Sequence, residues 1–228
     1  MQGCTLMIDT STSPLLLALE KDGKIISSRR KGIKQEKLLF PILRGLLTKA
    51  NAKLSDISRI FIIRGPGRFT GIRIALTFAS MMQFLNKCEV KGATLFDVVF
   101  HQVTASHAYK TWYKQRPDGV VAVILHAFRE EYFLQIFDEK HVGPQWLSRD
   151  DLLRQLATSP VPLFVAGTDK EFVSLEGLVG PSYTLARYSD CRIQPRTLAA
   201  LAQEKRWTQN ALEPLYLKPA RFELEQPK

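Results

Sequence analysis

The chain has 228 residues, 45% hydrophobic and 24% charged, which are proportions typical of a globular protein with a substantial core. No apolar run reaches the ~18–20 residues of a membrane span, and three cysteines without a C-x-x-C pair argue against a disulfide framework and for a reducing cytosol. The formal net charge of +10 lies wholly within residues 1–110, which carry 17 Lys and Arg against seven Asp and Glu. This asymmetry predicts either a polyanionic or acidic partner or a solvated basic surface.

The first half of the chain follows the order β-β-β-α-β-α. Its predicted strands are residues 6–8, 15–19, 25–28 and 57–63, and its predicted helices are residues 35–50 and 71–86. Asp22-Gly23 is a strong hairpin signal between the second and third strands. Hairpins combined with one parallel return predict a mixed sheet with helices packed on it.

The second half repeats that opening in a weaker form. Its predicted strands are residues 119–125, 132–137 and 162–166, and its predicted helices are residues 147–158 and 195–205. Ser148 is the predicted N-cap of the first of these helices, which has two aspartates in its first turn. The repetition indicates a duplicated unit, and we predict one domain over residues 1–106 and a second over residues 107–228.

The two helices of the first half carry more apolar surface than one sheet can cover. Their apolar positions span arcs of roughly 200° and 220° at ~100° per residue, and a helix on one side of a sheet needs about half of that. On the second helix, Ile74, Phe78, Met81 and Leu85 form one stripe, and Ile72, Ala75, Leu76, Ala79 and Met82 form another. A second covering surface is therefore predicted, which either the second unit or a partner protein supplies. The residues predicted to bind a partner are Leu38, Leu39, Ile42, Leu43, Leu46, Ile72, Ala75, Leu76, Ala79 and Met82.

A glycine-rich turn separates the strand at residues 57–63 from the second helix. The segment reads Gly65-Pro66-Gly67-Arg68-Phe69-Thr70-Gly71-Ile72-Arg73, and strand, glycine loop and helix is the layout that cradles phosphate in many proteins. The spacing G-x-G-x-x-x-G matches neither a Walker loop nor the dinucleotide fingerprint, and Pro66 lacks an N–H donor. We interpret the segment as a phosphate-loop position put to another use, with Gly65, Gly67, Arg68, Thr70, Gly71 and Arg73 as its site residues.

No other residues assemble into a catalytic constellation. Asp9 ends the first strand, and its side chain is predicted to cap the following turn. The four histidines are not spaced as metal ligands, and Cys88 is predicted to be a buried small hydrophobe.

Five segments together resemble the bacterial TsaB (YeaZ) family. They are Ile8-Asp9-Thr10-Ser11-Thr12, residues 35–43, Leu54-Ser55-Asp56-Ile57, the glycine-rich segment from Gly65 to Arg73, and Pro214-Leu215-Tyr216-Leu217-Lys218-Pro219. The match covers residues 5–95 well and residues 119–219 thinly. The combination of Gly-Pro-Gly-x-Phe-Thr-Gly with the upstream Asp-Thr-Ser is specific to the family.

The resemblance implies an α/β fold of the actin/hexokinase-like (ASKHA) class, with two RNase H-like units of mixed β-sheets flanked by helices, the second unit reduced. It implies a non-catalytic scaffold or dimerisation subunit of a TsaB–TsaD–TsaE complex, which installs threonylcarbamoyl on the adenosine next to the anticodon of tRNA. In that family TsaD is the catalytic subunit, TsaE is an ATPase, and the two N-terminal helices form the interface with TsaD.

The resemblance also implies that this chain alone binds no cofactor, because ATP and a metal are used by the partner subunits. It implies contact with tRNA through the complex. The exposed apolar helices predict that a homodimer can form when TsaD is absent. The lack of a membrane span and of paired cysteines predicts a cytoplasmic protein without a membrane anchor. Arg68 stands where the family has a small residue and makes the loop more basic, which suits an acidic partner or RNA. His126 stands where an Asp is common, which weakens a nucleotide role.

Two other interpretations of the sequence stay open. One is a stand-alone ASKHA-type ATP-dependent enzyme or a glycoprotease-like hydrolase. The other is direct tRNA binding by the basic residues between positions 21 and 37, where Lys and Arg are densest.

Overall fold

The computed structural model describes residues 3–31, 34–139, 142–167 and 183–218. Its first elements are strands joined as hairpins. The first sheet contains β1 (Cys4–Asp9), β2 (Leu15–Lys21), β3 (Lys24–Arg30), β4 (Ile57–Ile63) and β5 (Glu89–Ala93). Asp22 and Gly23 both have positive φ, 51° and 73°, as the tight turn between β2 and β3 requires. The predicted meander is therefore confirmed, and β5 is an additional strand that the sequence did not reveal.

The strand order of the first sheet is β3-β2-β1-β4-β5. β1 pairs antiparallel with β2, and β2 with β3, whereas β1–β4 and β4–β5 are parallel. This is the mixed sheet that the sequence predicts. The parallel pairings require crossover connections, and two helices supply them.

Two helices cover one face of the first sheet, and a third covers the other face. α1 (Gln35–Lys49) packs on β2 and β3, and α2 (Phe69–Asn86) packs on β4 and β5, with one shared apolar core beneath them. α7 (Pro195–Gln203) packs on β1 and β4. Its Ala202 carbonyl accepts a hydrogen bond from Lys91 Nζ at 2.9 Å, and Lys91 alternates along β5 with the core residue Val90. α7 therefore lies opposite α1 and α2.

The second sheet repeats the topology of the first. It contains β6 (Val120–Phe128), β7 (Glu131–Phe137), β8 (Gln145–Ser148), β9 (Leu163–Gly167) and β10 (Thr184–Leu185) in the order β10-β9-β6-β7-β8. β6, β7 and β8 are antiparallel neighbours, and β9 and β10 continue in parallel on the other side of β6. The predicted duplication is thus visible strand by strand.

Four more helices complete the described part of the chain. They are α3 (Leu95–Thr104), α4 (His107–Gln115), α5 (Arg149–Ala157) and α6 (Tyr188–Cys191). The Ser148 hydroxyl accepts the Asp151 N–H at 3.2 Å and caps α5 as predicted. In the ranges that the structure describes, no helix has the length and apolarity to cross a bilayer.

The chain divides into two compact units that are not continuous in sequence. Unit 1 comprises residues 1–98 and 194–215, and unit 2 comprises residues 99–193 and 216–228. The sequence placed a single division between residues 106 and 107. The division into domains at that point stays a prediction.

Candidate functional site

The space against the glycine loop after β4 is occupied by backbone of the same chain. The turn that follows β1 lies against it, and the Arg68 N–H donates to the Ser11 carbonyl at 2.8 Å. The Thr10 hydroxyl donates to the Gly71 carbonyl at 2.6 Å. The groups that would face a phosphate in a nucleotide-binding protein are here engaged by residues of the β1–β2 turn.

The loop glycines are required because these backbone segments approach so closely. A Cβ on Gly71 would lie 1.9 Å from the Thr10 carbonyl oxygen, and one on Gly67 would lie 2.4 Å from that of Ser11. Gly67 also has a φ of 154°, which disfavours any residue with a side chain. The interpretation of a phosphate-loop position put to another use agrees with these contacts.

Asp9 holds the β1–β2 turn in place. Its carboxylate is fully buried, and it accepts hydrogen bonds from the Ser11 N–H at 2.9 Å, the Ser11 hydroxyl at 2.7 Å and the Thr12 hydroxyl at 2.7 Å. The buried side chain of Gln35 adds a link from α1, because its Nε2 donates to the Thr12 carbonyl at 2.9 Å. Asp9 therefore caps the turn, as the sequence predicts.

The outer side of the loop carries exposed cationic and aromatic groups. Arg68, Thr70 and Arg73 are exposed, and the Arg73 guanidinium lies 3.9 Å from the centre of the half-exposed Phe69 ring. Of the six predicted loop residues, Gly65 and Gly71 are buried, whereas Gly67 and the three polar side chains are exposed. The exposed residues are accessible to a binding partner in this conformation.

The ten residues predicted to bind a partner also separate by burial. Leu39, Leu43, Leu46, Ile72, Ala75, Ala79 and Met82 are buried in the core of unit 1, and Leu38, Ile42 and Leu76 are partly buried. The stripe of α2 that was selected from the sequence is therefore the stripe that faces its own sheet. A binding role for these ten residues stays a prediction, and their apolar surface is largely covered within unit 1.

The other stripe of α2 is divided, because Phe78 is buried and Ile74 partly buried in the core, whereas Met81 and Leu85 are exposed. Phe84 is 75% exposed, Leu85 62%, Phe40 55% and Met81 38%. The Phe40 ring contacts the Phe78 ring edge-on, with centroids 5.8 Å apart, so the two helices share this surface. We call Phe40, Met81, Phe84 and Leu85 the outer apolar face. The stripe pattern named two of its members, but periodicity alone gave no means of telling which stripe faces solvent.

Within the described ranges, the cysteines and His126 occupy structural positions. Cys4, Cys88 and Cys191 are buried, and burial raises the pKa of the Cys4 and Cys88 thiols. The His126 ring donates from Nε2 to the Arg129 carbonyl at 2.7 Å at the turn between β6 and β7. His141 lies outside the described residues. Among described residues, no three His, Cys, Asp or Glu side chains come together as metal ligands.

Comparison with known sequences places the chain among proteins of one pathway. Residues 33–133 match the family model described as TsaD, tRNA N6-adenosine threonylcarbamoyltransferase. The chain is 24% identical to the tRNA threonylcarbamoyladenosine biosynthesis protein TsaB of Bacillus subtilis, over 96% of this chain and 95% of that protein. The Escherichia coli protein of the same name is 33% identical over 57% of this chain and 53% of its own length.

Comparison with solved structures identifies the fold. YeaZ from Pseudomonas aeruginosa matches with a TM-score of 0.66 and 23% identity, covering 94% of this chain and 100% of that one. Together with the two sheets of equal topology, this match confirms the predicted actin/hexokinase-like arrangement of two RNase H-like units.

Proposed function

Because this chain belongs to the TsaB family, we propose that it acts in tRNA threonylcarbamoyladenosine biosynthesis as a subunit that docks on a TsaD-like partner. In this proposal the chain is non-catalytic, and α1 and α2 carry the docking surface. The partner subunits supply the transferase, the TsaE-like ATPase, the ATP and the metal. The chain acts in the cytoplasm and meets tRNA through the assembled complex.

The outer apolar face is the observation that carries the docking proposal. Phe84 is 75% exposed on a helix whose opposite side is already buried. Covering such a side chain with another apolar surface lowers the free energy. Phe40, Met81 and Leu85 lie on the same two helices and extend the patch. A stable heteromeric interface buries about 1,200–2,000 Å², so these residues would form its apolar centre.

The net positive charge of unit 1 favours a partner of opposite charge. Unit 1 carries 19 Lys and Arg against nine Asp and Glu, whereas unit 2 carries 13 of each. A positive field around an apolar centre accelerates encounter with an acidic partner and leaves the apolar contacts to hold the complex.

The engaged glycine loop supports a non-catalytic role. Asp9 and the Arg68 N–H are the groups at strand and helix ends that would handle a nucleotide, and both are bound to the β1–β2 turn. Nucleotide binding at this position would require that turn to leave. We therefore expect calorimetry of the isolated chain with Mg-ATP to detect no binding.

The match of residues 33–133 to a transferase family model favours one alternative, a chain that is itself an enzyme. The calorimetric experiment separates the two possibilities. Tight Mg-ATP binding with turnover by the chain alone would contradict the scaffold role and support the enzyme.

The docking proposal is tested by placing a charge on the outer apolar face. Phe84→Glu and Leu85→Glu should each abolish co-purification with the TsaD-like subunit, because a buried unpaired carboxylate costs several kcal/mol. Gln83→Glu is the matched control, since it introduces the same charge at an exposed position of the same helix on a different side. Circular dichroism should show all three variants folded, because none of the three positions is buried.

Two results would contradict the docking site. One is retention of the complex by both Phe84→Glu and Leu85→Glu, and the other is equal loss with Gln83→Glu. A homodimer of the isolated chain that both face variants convert to monomer would show that a second copy uses the same surface when the partner is absent.

A further inference from the structure

A large cavity opens in unit 2, and its described lining includes no residue of the helices that carry the proposed docking face. Its volume is about 840 Å³, and all the residues that line it belong to residues 99–193. Ligand pockets in proteins commonly measure about 300–1,000 Å³. The cavity lies at the end of β6 and β7 where Val121 pairs with Phe137, and it is bounded by α4 and the residues after α5.

Aromatic rings form one part of the cavity wall. Phe100 of α3 stacks on Phe137 of β7 with centroids 4.1 Å apart, and Tyr109 stacks on Tyr113 along α4 at 5.5 Å. The Tyr113 side chain is 42% exposed, so its ring is accessible to a ligand. Aromatic faces of this kind attract cations through their negative quadrupole.

Every charged residue in the described part of the cavity wall is an acid. Asp118 lies in the turn before β6, and Asp138 and Glu139 follow β7. Within the described ranges, none of the three carboxylates has a hydrogen bond or an ion pair, and the Oδ1 atom of Asp138 is buried without a partner. The described lining contains no lysine, arginine or histidine. Three acidic side chains therefore line the described wall of one cavity, and a cation bound there would be attracted to them.

We propose that this cavity binds a guanidinium group, carried on an arginine side chain or on a small guanidino compound, with the ring on Tyr113 and the carboxylates of Asp118 and Glu139 as its contacts. A planar guanidinium stacks on aromatic rings and bonds carboxylates in a fork. An ammonium ion is more strongly hydrated and presents no flat face, so it fits this wall less well. A bare metal ion is disfavoured because the described residues offer no three ligands in coordinating geometry.

The binding test uses two probes that differ only in charge. N-acetylarginine methyl ester and N-acetylcitrulline methyl ester have nearly the same shape, but the citrulline compound carries a neutral urea. We expect isothermal titration calorimetry of the full chain to show at least about tenfold tighter binding of the arginine compound. Equal affinity of the two probes, or no binding of either, would overturn the proposal.

The site test removes the charges of the cavity wall. Asp118→Asn combined with Glu139→Gln should weaken binding of the arginine probe about tenfold, because both charge-assisted contacts are lost. Glu36→Gln combined with Asp150→Asn is the matched control, since both residues are exposed and lie outside the cavity. Equal weakening by the control pair would show attraction to net charge alone and would overturn the assignment.

Two further measurements secure the result. If the double variant fails to fold, Glu139→Gln alone must weaken binding about threefold, and unchanged affinity contradicts the proposal. An acetylated Ala-Arg-Ala amide that binds more tightly than the ester identifies a peptide segment as the ligand. Equal binding of the two identifies a small guanidino compound, and either outcome supports the guanidinium site.

Discussion

Units 1 and 2 share one strand topology but differ at the point where the central strand ends. In unit 1, β1 ends at Asp9, and the polar turn after it folds back onto the glycine loop through Ser11 and Thr10. In unit 2, the equivalent strand β6 continues to Phe128 and reverses at once through Arg129, whose φ is 51°. The same sheet therefore supports an internally packed loop in one unit and a projecting hairpin in the other. The comparison teaches that topology fixes where a site can form, and that the turn residues decide whether its place is open or filled.

The two units also differ in what their surfaces offer to other molecules. Unit 1 has the excess of positive charge and the outer apolar face, which are suited to a macromolecular partner. Unit 2 is neutral in balance and contains an acidic, aromatic cavity of a size suited to a small group. The two copies of the fold thus share a framework but differ in charge and in the surfaces that they expose.

The largest expected effect is on stability, when the packing between the β1–β2 turn and the glycine loop of unit 1 is disrupted. Gly71→Ala places a methyl group 1.9 Å from the Thr10 carbonyl, and we expect a loss of about 3 kcal/mol or more in the free energy of unfolding. Urea denaturation followed by circular dichroism measures the change.

Gly45→Ala is the control for that substitution. Gly45 lies inside α1 with no atom within 4 Å of the added Cβ, so the same change should stabilise the protein by about 1 kcal/mol. Similar effects at the two glycines would show that the β1–β2 turn is not packed on the loop as described.

An intermediate effect, on tRNA affinity, is expected when the positive charge of unit 1 is reduced. Lys24→Glu with Arg30→Glu reverses two exposed charges on the edge strand β3, and should weaken tRNA binding by the assembled complex about tenfold at low salt. The dependence of log affinity on log salt should fall by about 0.9 for each lost phosphate contact. Filter binding over a range of salt concentrations measures both quantities.

The matched variant in unit 2 is Lys110→Glu with Lys114→Glu, which reverses two exposed charges on α4. It should change tRNA affinity much less, because unit 2 lacks the basic excess. Equal weakening by both pairs would mean that only the total charge matters. No effect of either pair would leave the basic residues of β3 as solvated surface.

The smallest effect concerns alkaline pH and involves both units. Burial raises the pKa of the Cys4 and Cys88 thiols in unit 1, and burial likewise raises the pKa of the Tyr109 and Tyr132 hydroxyls in unit 2. A raised pKa in the folded state stabilises the protein below the ordinary value of the group, and the contribution is lost as pH rises through the folded value.

The urea midpoint should therefore decline from about pH 8.5 upward, where cysteines and then tyrosines of the unfolded chain begin to ionise. Thiolate and tyrosinate absorbance, measured on the folded protein, separates the contribution of the cysteines from that of the tyrosines. A midpoint that is constant or rises over this range would contradict the burial of these groups.

Short-range patterns were sufficient to predict the framework of unit 1. The apolar run of residues 15–19 and the Asp22-Gly23 turn specify an antiparallel meander, since both features act between neighbours in sequence. Asp9 was likewise predictable as a cap, because its partners are two and three residues away. Local chemistry of this kind does not depend on how distant segments meet.

Features that depend on distant segments were not predictable in the same way. β5 was missed because Glu89, Lys91 and Gly92 obscure its strand pattern, and Lys91 is buried only because the Ala202 carbonyl accepts from it. The wheel of α2 showed two apolar stripes but gave no sign of which one faces β4 and β5. That choice is made by the sheet, which the helix sequence does not contain.

The return of α7 to unit 1 has a consequence for synthesis on the ribosome. Buried side chains of this helix, including Leu198 and Leu201, complete the back of the first sheet, and Gln203 bonds both Arg59 and Glu20 there. Translation proceeds from the N-terminus, so the first hundred residues emerge long before the helix that covers them. Until then one apolar face of that sheet is exposed, and the nascent polypeptide must be shielded or wait before it completes its fold.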